Sequence, residues 1–144
     1  MENTEIYKHI YQDAEMAKYT ISRLLVELKE KDNKIKSVAE DILKQYEFYY
    51  EESKNYLLQF SEEMPEKGFM SKMGATIGIK KEVKNDNSDS SIAEMLIQGI
   101  SMGSLEMEKK IGNYEKDIDK KQLKFAKSFL QFQEDSITLL KKFL

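Results

Sequence analysis

A chain of 144 residues, 40% hydrophobic and 34% charged, has the length of one domain and the balance of helices that each show one face to water. Its formal net charge of −3, with Arg23 as the sole arginine, leaves no strongly basic surface for nucleic acid. The absence of cysteine excludes disulfides, zinc–thiolate sites and thiol chemistry.

No stretch approaches the roughly 20 apolar residues of a membrane span. The opening MENTEIYKHIYQDAEM lacks the apolar core of a signal peptide. The expectation is a cytoplasmic protein without a transmembrane segment.

Residues 3–63 contain neither glycine nor proline, a long run without helix breakers. Ile6, Ile10, Ala14, Ala17, Ile21, Leu24 and Leu28 recur in steps of three and four, which predicts a first amphipathic helix over 4–31. His9, the one histidine, has Glu5 and Asp13 four residues away on either side. This spacing predicts an ion-paired surface histidine, with a metal set of these three as the alternative. Lys31, Asp32 and Asn33 suit a turn.

Ile35, Val38, Ala39, Ile42, Tyr46, Tyr49, Tyr56 and Phe60 continue the period and predict a second helix over 34–63. A short turn between two long helices makes them antiparallel neighbours. Phe48, Tyr49 and Tyr50 are consecutive and fan through about 200° of helix surface. At least one large ring therefore faces a covering loop, solvent or a second subunit, and Tyr49 and Tyr50 are the candidates for that surface.

Over 64–88 the pattern breaks at Pro65, Gly68, Gly74 and Gly78 and ends in an Asn/Asp/Ser cluster. A loop this long needs a reason. A helix of about 28 residues is about 40 Å long, and about 25 extended residues reach further than that. The segment is therefore predicted to cross the length of the bundle between two helical hairpins. Its piece GFMSKMGATIGIKK is apolar enough to pack on the bundle, with membrane-surface contact as the alternative.

The third helix is predicted over 89–116, with Asp89 or Ser90 as N-cap and a seam of Ile92, Leu96, Gly99, Gly103, Glu106 and Lys110. Gly99 and Gly103 cost helix stability and are expected to permit close packing against the aromatic second helix, with a small ligand pocket beside them as the alternative. Asp119 should cap a fourth helix over 119–143. Its seam of Leu123, Ala126, Leu130, Gln133, Ile137, Leu140 and Leu144 is apolar except for Gln133. A lone polar seam residue fixes register through a buried hydrogen bond, and Glu106 is the expected partner.

IYQDAEM in the first helix, SKMGATIGIK in the crossover, and IAEMLIQGISMG with FLQFQEDSITLLKKFL in the second half carry a resemblance over most of the chain. They resemble ferritin-like four-helix-bundle proteins of low-GC Gram-positive bacteria. The resemblance implies an all-α, ferritin-like four-helix bundle with a long crossover between helices 2 and 3, commonly dimeric. The wider superfamily holds two metals through Glu-x-x-His pairs. This chain has Tyr50 three residues after Glu47 and Ile137 three residues after Glu134, so both pairs are missing.

A carboxylate-only site of Asp13, Glu47, Glu106 and Glu134, holding Mn or Fe, is the metal alternative. Nucleophilic catalysis has no support, with no cysteine, a single histidine and no Gly-x-Ser-x-Gly elbow. The reading is a non-enzymatic protein with no catalytic residue and no cofactor, acting through protein contacts, including a homodimer.

Overall fold

In the computed structural model, residues 3–60, 78–79, 83 and 86–144 are described. Among them lie four long helices, α1 (Glu5–Glu27), α2 (Lys36–Gln59), α3 (Asp89–Tyr114) and α4 (Lys120–Lys141), and no strand. The chain is all-α. No helix among the described residues is long and apolar enough to cross a membrane. The predicted helices are trimmed at their ends: residues 28–30 and Phe60 are turns. Most of the predicted loop, including Pro65, Gly68 and Gly74, lies outside the described residues. Gly78 has open space around it, whereas Ile79 and Val83 are buried and join the main core.

The helices pack as two hairpins, α1 on α2 and α3 on α4, with α1 also against α3 and α4, and α2 against α4. Two contacts set the directions. Asn33, in the α1–α2 turn, donates to the Asn87 carbonyl at 2.8 Å and to Asp89 Oδ1 at 2.9 Å, so α3 begins at the end of the assembly where α2 begins. Gln122 donates to the Asn3 carbonyl at 3.1 Å, so α4 begins where α1 begins.

Local chemistry starts the second hairpin. Ser88, in an extended conformation, accepts from the Ser91 amide, and Asp119 accepts from the Gln122 amide. Each satisfies one of the amides that a helix start leaves without a carbonyl. The cap of α3 is thus Ser88 rather than Asp89 or Ser90. Asp89 turns instead to the other hairpin. Its carboxylate faces the Lys34 and Ile35 amides at 3.3 and 3.5 Å, at the start of α2, which has no side-chain cap of its own.

The core runs through all four helices. In α1 the predicted stripe is buried except for the half-buried Ala17. In α3 the buried stripe is Ile92, Ala93, Leu96, Ile100, Met107 and Ile111. It is rotated off the predicted seam, so Glu106 falls outside it and is exposed. In α4 the buried stripe is Gln122, Ala126, Phe129, Phe132, Gln133, Ser136 and Leu140. Leu123, Leu130 and Ile137 are only half-buried and Leu144 is exposed. The reason is the size of the rings. Phe129 and Phe132 pack edge-on against Tyr46 and contact Tyr49, and burying a large ring removes more apolar surface from water than burying a leucine at the flank.

Candidate functional site

The centre of the bundle holds a small polar cluster. Gln133 on α4 is fully buried (0% exposed). Its amide nitrogen donates to Asp13 Oδ2 on α1 at 2.9 Å and to the Tyr46 hydroxyl on α2 at 3.2 Å. Three helices thus meet through one side chain. Among the described residues, the Gln133 carbonyl oxygen has no hydrogen-bond partner. The Tyr46 hydroxyl is held well above its ordinary pKa, first by burial and then by the negative charge of Asp13, while its hydrogen bond with Gln133 pulls the other way. It is therefore a neutral phenol at physiological pH. His9 Nε2 lies 4.0 Å from Asp13 Oδ2, one helical turn away, and both side chains are mostly shielded from solvent.

Gly103 on α3 makes room for this cluster. A Cβ there would stand 2.9 Å from both Asp13 Oδ1 and Gln133 Nε2, and closer still to Asp13 Oδ2. The glycine brings the backbone of α3, the helix that gives no side chain to the cluster, against the polar group. Gly99, one turn earlier, does not share this role: it is exposed, and a Cβ on it would meet nothing within 4 Å.

The partner of Gln133 is therefore Asp13 and Tyr46, not Glu106. Glu106 is exposed and lies 3.5 Å from Lys109 on its own helix. Glu47 and Glu134 are exposed as well. Of the four carboxylates of the proposed metal set, Asp13 and Glu106 line a common cavity among the described residues. Among the described residues, no group of three or more His, Asp and Glu side chains is arranged to hold a metal ion.

Beside the cluster, the α1–α3 face opens into a cavity of about 450 Å³ lined by His9, Gln12, Asp13, Met16, Gly99, Met102, Gly103, Leu105 and Glu106. A smaller cavity of about 100 Å³ shares Asp13, Met16 and Gly99 with it and adds Met95, Ile21 and Ile100.

On the α2–α4 face is an aromatic groove of about 330 Å³, with Tyr7, Phe48, Tyr56 and Phe125 in its walls and Lys121, Lys124 and Glu52 around them. Tyr7 stacks on Tyr56 with ring centroids 3.6 Å apart and on Phe125 at 5.3 Å. Phe48 is 55% exposed. Of the three consecutive rings on α2, Phe48 is the one that faces outward. Tyr49 is buried between Phe125, Phe129 and Phe132, with its hydroxyl bonded to Ser128. Tyr50 is half-buried, stacks on Tyr11 at 4.9 Å and carries the Lys18 ammonium 3.8 Å above its ring.

Sequence reasoning found Gln133 because a polar residue interrupts an apolar seam. Asp13 was visible only as one of several mid-helix carboxylates. Phe48 carried one signal, its place in a run of three aromatic residues. Comparison of the chain with protein-family models, with curated proteins and with solved structures yields no match.

Proposed function

We propose that this chain is a non-enzymatic helical-bundle protein of ferritin-like topology, cytoplasmic, that acts through protein–protein contact, with a second copy of itself as the first partner. The topology rests on Asn33 against Asp89 at one end and Gln122 against Asn3 at the other. That α3 starts at the end where α2 starts supports a long crossover between the two hairpins, as in a ferritin-like fold.

The observation that carries the contact reading is Phe48. A phenylalanine more than half exposed, above a groove walled by three further rings and edged by lysines and a glutamate, has the make-up of an interface anchor inside a polar rim. The test is sedimentation equilibrium of the purified protein. Self-association that weakens by about tenfold or more in Phe48→Ala supports the reading. A protein monomeric at all accessible concentrations, or a dimer indifferent to Phe48→Ala, overturns it.

A carboxylate-only metal protein using Mn or Fe is the alternative. It keeps Asp13 and Glu106 at one cavity but leaves Glu47 and Glu134 facing solvent. Elemental analysis of protein purified without chelator decides it: a stoichiometric metal lost in Glu106→Ala favours that reading.

A further inference from the structure

The α1–α3 cavity is separate from the aromatic groove and is differently built. Its walls combine apolar and acidic groups. Met16, Met102 and Leu105 supply the apolar part, and Met102 and Leu105 are 73% and 54% exposed, large for side chains of their kind. Asp13 and Glu106 supply two carboxylates. Among the described residues, neither lysine nor arginine lines it, and the other ionisable group there is His9, whose Nε2 lies 4.0 Å from Asp13 Oδ2. Glu106 has Lys109 near it, but both side chains are more than half in water, so solvent screens that pair.

Asp13 is different. Its side chain is 16% exposed and is held in place by buried Gln133. A carboxylate fixed at a cavity wall needs no reorganisation to meet a positive charge. Gly99 leaves the cavity open where any other residue would project a side chain, with nothing within 4 Å of the missing Cβ. The thioethers are flexible and adapt to an apolar body of varied shape. The volume is in the range of small-molecule sites.

We propose that this cavity binds a small organic cation: an ammonium group set against Asp13 and Glu106, and an apolar body laid over Met16, Met102 and Leu105. An anion of the same skeleton would meet two carboxylates and be repelled.

The test uses 4-phenylbutylamine, with 4-phenylbutanoic acid and 4-phenylbutanol as partners of the same shape. Binding is followed by amide chemical shifts of the full chain, in which Gly99 and Gly103 report the cavity directly. The expected result is saturable shifts at these two glycines with the amine, at about tenfold higher affinity than with the alcohol, and none with the acid. Glu106→Gln, at an exposed position, should weaken the amine at least threefold while leaving the alcohol unchanged. Gly99→Leu, built into open space, should block both ligands. Equal binding of amine and acid, shifts confined to other regions, or full binding to the folded Gly99→Leu variant would each overturn the proposal.

Discussion

Gln133 and Asp13, 120 positions apart in the chain, are joined by a hydrogen bond of 2.9 Å inside the bundle, and Tyr46 shares the same donor. Removing Gln133 strips a mostly shielded carboxylate and a buried hydroxyl of that donor together. Gln133→Leu is expected to destabilise the protein by about 2–4 kcal/mol. Tyr46→Phe, which loses one neutral hydrogen bond, should cost about 1 kcal/mol. Urea unfolding of both variants checks the order; a Gln133→Leu protein as stable as the parent would contradict it.

Tyr46 also makes a prediction about alkali. Its folded-state pKa is raised above the ordinary 10.0 by burial. The folded form therefore holds the phenol proton more tightly than the unfolded chain. The stability from this proton is complete below pH 10 and is lost as the pH rises above it. Unfolding midpoints measured across this range should converge between parent and Tyr46→Phe at high pH, with Tyr46 of the parent ionising only as the protein unfolds.

The two glycines of α3 should respond in opposite directions. Gly103→Ala drives a methyl into Asp13 and Gln133, an overpacking expected to cost about 1–3 kcal/mol. Gly99→Ala meets no obstacle and gains helix propensity, about 1 kcal/mol. Thermal melts of the pair test this; equal effects would mean that the backbone at Gly103 yields more easily than its surroundings indicate.

Asp89 serves as the missing cap of α2. Asp89→Ala should cost about 1–2 kcal/mol, in the range of other lost caps. Hydrogen exchange of amides in the first turn of α2, rather than in α3, should quicken. Protection lost only in α3 would show that Asp89 acts on its own helix alone.

Some of this was legible in the chain and some was not. The α1 stripe could be read directly because isoleucine, leucine and alanine mark one face without ambiguity. In α3 the apolar residues spread around the helix, and glycines give no indication of which face they occupy. A seam drawn through Gly99, Gly103 and Glu106 therefore missed the stripe of Ile100, Met107 and Ile111. In α4 a strict heptad followed the leucines, whereas Phe129 and Phe132 decide the rotation because Tyr46 and Tyr49 stand opposite them. That opposition is a tertiary fact. The same holds for Gln133: its buried position showed in the pattern, but its choice of Asp13 over Glu106 depends on how the helices are set against each other.

The attachment of Asp89 and Asn33 across the hairpins has a mechanical meaning. The first helical pair does not contain everything needed to begin its own second helix; a residue 55 positions downstream of Lys34 completes it. The first hairpin thus draws on the second for the start of α2, and Asp89 leaves the ribosome only after the whole of that first hairpin has emerged. Asp89 thereby ties the start of one hairpin to the start of the other.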